Sequence, residues 1–351
     1  MGVRCRWSSD RFHPLYEAFA MRAAILDQPG PPEALRVVDR DPPAAGPDDV
    51  LIDVEFVSVN PIDTYLRSGT VDWNGDWPMV PGCDAAGIVA AVGQNVRTHK
   101  VGDPVWCCCQ GVLGRPGTAA EQISVPAPRV YRRPDAVSSA DMAAIGLTGM
   151  TAHLGLFRDA KISSSETVVV IGGTGGVGSM VVQMAKAAGA RVITTASTDR
   201  KAEAAKRIGA DEVIRYRETS MMDAIADLVP NGVDVFWETR REPDLLATVP
   251  LMRHRGRIVL MAGRDAVATL PIGPFYVNEL RLIGLVMFKA SDAEMAQSAE
   301  KIAGLAETGQ LRPLIDRTLD LDEIATAHRL QQSATVEGTG SLLGKLLIRI
   351  R

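Results

Sequence analysis

Between residues 21 and 140, apolar and polar positions alternate with a period of two. VLIDVEFVSVN at 50–60 is the longest such run, AAGIVAAVG at 85–93 reads as a strand entering a turn, and prolines and glycines punctuate the rest. From about 143 to 288 the pattern changes. Six apolar runs, TVVVIG, ARVITTA, DEVIRY, VDVFWET, GRIVLMAG and LRLIGLVMF, are separated by helical stretches such as 179–188, 200–208 and 219–229. That alternation predicts a parallel sheet covered by helices on both faces. Farther on, SDAEMAQSAEKIAGLAET at 291–308 predicts a helix opened by a capping box of Ser291 and Glu294. The closing LLGKLLIRI is a strand with no place in the central sheet, so it returns to the amino-terminal β half. The chain is therefore α/β with two domains: a β-rich domain over 21–145 completed by 289–351, and a doubly wound parallel-sheet domain over 146–288. Residues 1–20 carry Arg4, Arg6, Asp10, Arg11 and Glu17 but no apolar segment, and read as an N-terminal extension rather than a signal peptide.

The junction VVVIGGTGGVGSMVVQMAKAAGARVITTAS at 168–197 carries the most chemistry. Gly173, Gly175 and Gly178 fit GxGxxG between a strand and a helix, with Thr174, Gly176 and Val177 as the intervening residues. In this motif the first glycine makes a sharp turn, the second lets backbone approach a pyrophosphate, and the third lets helix and strand pack closely. The helix then aims its free N–H groups and positive dipole end at the phosphate. A site for NAD usually carries Asp or Glu about twenty residues later, on the ribose 2′-hydroxyl. The second strand ends instead in Ala196-Ser197, followed by Arg200 and Lys201. A tip without an acid suits the 2′-phosphate of NADPH, although Asp199 stands close by.

A net charge of −4 argues against a nucleic-acid partner, and no apolar run is long enough to cross a membrane. Five cysteines, three of them adjacent, form no disulfide framework and point to a reducing cytoplasm. Cys107, Cys108 and Cys109 follow GDPVW. Neighbours on a strand face opposite ways, so the triplet predicts a strand rather than a zinc site.

NPIDTYLRSG at 60–69, GTGGVG at 173–178 with the following AKAAGA, and IGADEVIRY at 208–216 resemble the zeta-crystallin-like NADPH:quinone oxidoreductases of the medium-chain dehydrogenase/reductase superfamily. The resemblance runs from about residue 21 to 351. It implies a GroES-like β-rich catalytic domain beside a Rossmann cofactor domain, and a homodimer joined through an edge strand of the cofactor sheet, for which LRLIGLVMF is the candidate. It further implies that Lys201 and Tyr216 help hold the 2′-phosphate, that Thr151, in a G-x-T turn, lies near the nicotinamide, and that Gly263 lines the cofactor. Zinc-dependent relatives bind catalytic metal through a Cys, a His-Glu pair and a second Cys. Those positions fall here at Val57–Asn60, at Cys83-Asp84 and at Leu147, and the four-cysteine structural lobe is absent. Three protein ligands with one open position are needed, so no metal is expected.

Without a Lewis acid, hydrogen-bond donors must take the developing charge, which favours acceptors that delocalise it themselves, such as quinones and conjugated enones. Asn60, Tyr65 and Arg67 are the candidate polar groups at the acceptor. Each also has a plain structural reading: Asn60 bonding backbone at a strand end, Tyr65 packed in the core, Arg67 paired with Asp63. Enoyl-thioester reductases of the superfamily place a catalytic tyrosine where this chain has Val71. The sequence also leaves open a zinc-type alcohol or aldehyde dehydrogenase and a crystallin-like protein that binds NADPH without turnover. His13, His99, His153, His254 and His328 are scattered, and His153 and His328 read as structural.

Overall fold

A computed structural model describes residues 20–351; the extension expected over 1–20 lies outside them except for Ala20. Strands β1 (Met21–Ile25) and β2 (Arg36–Arg40) pair as an antiparallel ribbon. The first large sheet is built on β3 (Asp49–Val59), with β4 (Asp84–Val92), β5 (Pro104–Cys107), β6 (Gln122–Pro126) and β7 (Val130–Arg132). Val50, Ile52 and Val54 of β3 are buried while the residues between them are half-buried, the period-two burial that the alternation predicts. Helix α1 (Pro61–Ser68) leaves β3 directly, with Pro61 at its first position, and stops at Gly69, whose φ of +76° favours glycine.

Helix α2 (Ser139–His153) leads toward the second sheet. It packs on β3 and β4 on one side and on α3 (Gly176–Ala187) on another, and is accordingly apolar nearly all round. The second sheet comprises β8 (Thr167–Val170), β9 (Arg191–Ala196), β10 (Glu212–Arg215), β11 (Val233–Glu238), β12 (Met252–Leu260) and β13 (Arg281–Gly284). All are parallel, in the order β10-β9-β8-β11-β12-β13. Helices α4 (Asp199–Arg207), α5 (Met221–Leu228), α6 (Leu245–Thr248) and α7 (Ile272–Val277) lie on the crossovers. The strand order reverses beside β8, so the crevice at the carboxyl ends of β8 and β11 is where such a sheet binds ligands. All six expected strands form. LRLIGLVMF contributes only its first residues, at the sheet edge, before the chain turns away.

Helix α8 (Asp292–Glu307) opens with the expected box, the Ser291 N–H reaching Glu294 Oε2 at 2.8 Å and the Glu294 N–H reaching Ser291 Oγ at 3.3 Å. After β14 (Ile315–Asp320) and α9 (Ile324–Thr335), the final strand β15 (Lys345–Arg349) pairs parallel with β14 and antiparallel with β3, Leu346 opposite Val59. The carboxyl terminus thus rejoins the first sheet. Cys107 ends β5 facing one apolar core and Cys108 faces the other; with Cys83 and Cys109 they are buried free thiols. Among the described residues no helix is long and apolar enough to cross a membrane.

Candidate active site

The glycine loop is held from below by the strand beside it. Thr195 Oγ1 accepts from the Gly172 N–H at 2.9 Å. Thr194 Oγ1 accepts from the Gly173 N–H at 3.0 Å and donates to the Val170 carbonyl at 2.6 Å. The division of labour among the glycines differs from expectation. The left-handed turn is made by Gly172 (φ +73°), one residue before the motif, whereas Gly173 is needed because a Cβ there would stand 2.1 Å from Thr194 Oγ1. Gly178 plays the expected role, since its Cβ would stand 2.2 Å from the Gly172 carbonyl oxygen. Gly175 is exposed and caps α3 with no side chain, which leaves the first-turn N–H groups of Gly176, Val177 and Gly178 for an anion; Thr174 is buried beside them. These residues fit the pyrophosphate of a dinucleotide.

At the far end of the crevice, β9 ends at Ala196 and half-buried Ser197, and Thr198 caps α4. The Lys201 ammonium donates to the Gly340 carbonyl, and Tyr216 stands 45% exposed nearby in sequence at the end of β10. Burial, followed by repulsion from Arg217 and Arg200 once Asp316 has offset part of it, pulls the Lys201 pKa down. Asp199, the acid that could repel a 2′-phosphate, is paired with Arg215. The tip is a basic cluster, and Arg217 is a member that sequence reasoning missed.

A buried polar cluster lies where the two sheets approach. Lys345, 4% exposed, donates through Nζ to Asn60 Oδ1 at 2.5 Å and to the Val59 carbonyl at 2.9 Å. Asn60 Nδ2 donates to Asp84 Oδ2 at 2.9 Å. Asp84 also accepts from Ser58 Oγ at 2.6 Å and from the Leu147 N–H at 2.9 Å. Burial pushes the Asp84 carboxyl up, with Lys345 the largest effect opposing it. Burial pulls the Lys345 ammonium down against the attraction of Asp84 and Asp63. Asp63 Oδ2 accepts from the Asn60 N–H at 2.7 Å and caps α1; burial pushes its carboxyl up to about 7. The Lys345 side chain also borders the cofactor loop, its Cδ standing 3.1 Å, and Thr148 Cγ2 3.0 Å, from where a Cβ on Gly176 would be. Neither Lys345 nor Thr148 was a sequence candidate. The LLGKLLIRI strand that would return Lys345 to the first sheet was the one available signal.

The three sequence candidates at the acceptor part company. Asn60 has no exposed surface, and both ends of its amide are engaged by Lys345 and Asp84, so it is not a direct donor on the crevice wall. Arg67 is buried on another face of α1, where Nη2 donates to Gln332 Oε1 of α9 at 2.5 Å; it neither reaches the crevice nor pairs with Asp63. Arg67 is two residues from Tyr65, and residues two apart on a helix do not share a face; Asp63, four residues back, spends Oδ2 on the Asn60 N–H instead. Behind it His328 is buried, and burial with the nearby Arg67 charge holds its pKa down to about 3. Tyr65 faces the crevice, half-buried, its ring centroid 5.9 Å from Arg241 Cζ. Thr151 lies within α2 rather than in a turn, its hydroxyl donating to the Leu147 carbonyl at 2.8 Å. Gly263 follows β12 with φ +83°, and a Cβ there would stand 2.2 Å from the Arg241 carbonyl oxygen.

Zinc does not fit. The ligand positions inferred from the zinc-dependent relatives fall at Val57–Asn60, at Cys83-Asp84 and at Leu147, and no group of three His, Cys, Asp or Glu could hold a metal among the described residues. The Lys345 ammonium already stands 2.5 Å from Asn60 Oδ1, so a second cation would meet repulsion, and burial and the nearby carboxylates push the Cys83 thiol well up.

Comparisons with known proteins converge on this architecture. Residues 46–135 match the family described as alcohol dehydrogenase GroES-like domain, and residues 176–304 match the one described as zinc-binding dehydrogenase. The quinone oxidoreductase of Homo sapiens is 32% identical over 330 residues, 93% of this chain and 97% of that protein. Among solved structures, an NAD-dependent alcohol dehydrogenase superposes with a TM-score of 0.84 at 28% identity, covering 94% of this chain and 99% of that one. A quinone oxidoreductase of Pseudomonas syringae pv. Tomato DC3000 gives 0.80 at 26% identity, covering 94% and 99%.

Proposed function

The chain belongs to the quinone oxidoreductase family of the medium-chain dehydrogenase/reductases, and on that premise we propose that it reduces a quinone or conjugated enone with NADPH and without a metal. Members of the family are oxidoreductases that use a nicotinamide cofactor. The observation that carries the metal-free reading is the buried Lys345 ammonium bonded to Asn60 beside Asp84. The nicotinamide supplies the hydride when bound. The first-turn N–H groups of α3 hold the pyrophosphate, and Ser197, Lys201, Tyr216 and Arg217 receive the 2′-phosphate; the basic tip, with Asp199 paired to Arg215, supports NADPH over NADH. Thr151 and Gly263 border the nicotinamide end. Tyr65 is the donor to the acceptor oxygen, while Asn60 is a positioning residue, fixed between Lys345 and Asp84 at the head of the helix that carries Tyr65.

The test is a scan of NADPH oxidation against quinones, enones and aldehydes, with and without chelator. Turnover with quinones or enones, unaffected by chelator, is the expected result. Activity lost to chelator and restored by zinc would instead mark an alcohol or aldehyde dehydrogenase. Tight NADPH binding with no turnover of any acceptor would mark a binding protein.

A homodimer through β13 belongs to the same reading. The edge of the cofactor sheet is open there, and Ile272, Tyr276, Val277, Leu282 and Val286 expose 40–68% of their surfaces on or beside it. Sedimentation equilibrium should give twice the chain mass, and a monomer at micromolar concentration would remove the assignment. Four buried free thiols suit a cytoplasmic location.

A further inference from the structure

Two arginines follow β11 and do different work. Arg240 is consumed at home: its Nε and Nη2 lie 3.0 and 2.6 Å from the carboxylate of Glu238, which is 2% exposed. Arg241 is half-buried and pairs with no carboxylate among the described residues. Its one hydrogen bond runs from Nη1 to the Val336 carbonyl at 3.0 Å, and the rest of its guanidinium faces the Tyr65 ring across the crevice. The backbone beneath it is fixed against Gly263, which has no room for a side chain.

A half-buried guanidinium without a counter-ion, beside an aromatic ring and bonded to one carbonyl, has most of its N–H fork unspent. That is the arrangement that takes a carboxylate bidentately. The charges of the cofactor have places elsewhere. The pyrophosphate belongs at the head of α3, and the 2′-phosphate belongs beyond β9. In the order β9-β8-β11 that puts the 2′-phosphate site two strands, about 10 Å, from the strand that carries Arg241. Arg241 therefore serves the nicotinamide end, where Tyr65 meets the acceptor.

We propose that Arg241 is a specificity-determining residue that receives a carboxylate carried by the acceptor, so that the preferred substrates are anionic quinones or enones; this rests on the reductase reading above. The experiment compares kcat/KM for a matched pair of quinones, one neutral and one bearing a ring carboxylate, in wild type, Arg241→Met and Arg241→Lys, with the NADPH Kd measured in each. Wild type should favour the carboxylate by about 10- to 100-fold, the ratio should fall to about 1 in Arg241→Met, and Arg241→Lys should restore part of it. An unchanged ratio in Arg241→Met overturns the proposal. So does a tenfold rise in NADPH Kd with the ratio intact, which would make Arg241 a cofactor ligand. If wild type oxidises NADPH with neither quinone, the reductase reading falls. Arg241 is then judged by calorimetry of the two hydroquinones on the NADP+ complex, where equal Kd values overturn the proposal and a preference for the carboxylate that Arg241→Met abolishes upholds it.

Discussion

Replacing Lys345 with methionine should cost about 1–3 kcal/mol of stability, the penalty for leaving the buried Asn60 Oδ1 and Val59 carbonyl without their donor. Asp84 has no exposed surface; burial pushes its carboxyl up, and Lys345 opposes that most, followed by the bonds from Ser58, Asn60 and the Leu147 N–H. Methionine fills most of the space but supplies no cation, so the Asp84 carboxyl is pushed further up. Adding Asp84→Asn to Lys345→Met removes the carboxyl that the Lys345 charge favours while keeping an acceptor for the Leu147 N–H. The double variant should therefore lose less stability than the sum of the two single losses. Urea unfolding of the three variants measures this directly. A Lys345→Met loss under about 0.5 kcal/mol would mean that its two buried hydrogen bonds contribute little to stability. Because Lys345 also fixes the Asn60 amide, kcat should drop in whatever fraction of Lys345→Met folds, with KM for the acceptor less affected.

The second large effect concerns cofactor choice. Lys201→Glu should raise the NADPH Kd by roughly 100-fold, from the loss of charge-assisted hydrogen bonds and the added repulsion, and leave the NADH Kd within about threefold. The discrimination comes from the positive field of Lys201, Arg200 and Arg217, with Asp199 already paired to Arg215. Fluorescence titration with both cofactors reads the difference. Equal losses for NADPH and NADH would remove the 2′-phosphate from this position.

The parallel-sheet domain was legible in the sequence, down to its six strands and the loop that opens α3, and so was the capping box of α8 beyond it. These are local signals, each decided by neighbours within one or two turns or strands. Even there, spacing left the work of the individual glycines undecided. The motif names Gly173 for the turn, but the left-handed residue is Gly172, and Gly173 is required by Thr194 on the next strand. The candidate acceptor residues show the same limit. NPIDTYLRSG presents Asn60, Tyr65 and Arg67 as one cluster. The period of α1 sends Tyr65 to the crevice and Arg67 toward α9, and burial withdraws Asn60 from the wall. Helical period alone could have separated Tyr65 from Arg67, whereas the burial of Asn60 could not be read locally.

By itself the sequence determined the class of fold, the glycine-rich loop between β8 and α3, the acid-free strand tip and the absence of zinc ligands at their expected positions. All of these depend on residue type and short spacing. The tertiary structure decided which polar groups share a pocket. Lys345 meets Asn60 across 285 residues of chain only because β15 pairs with β3, and Arg241 meets Tyr65 only because the two sheets face one another across the crevice. Pairing between distant strands follows from total apolar burial over the whole molecule, which no local pattern records.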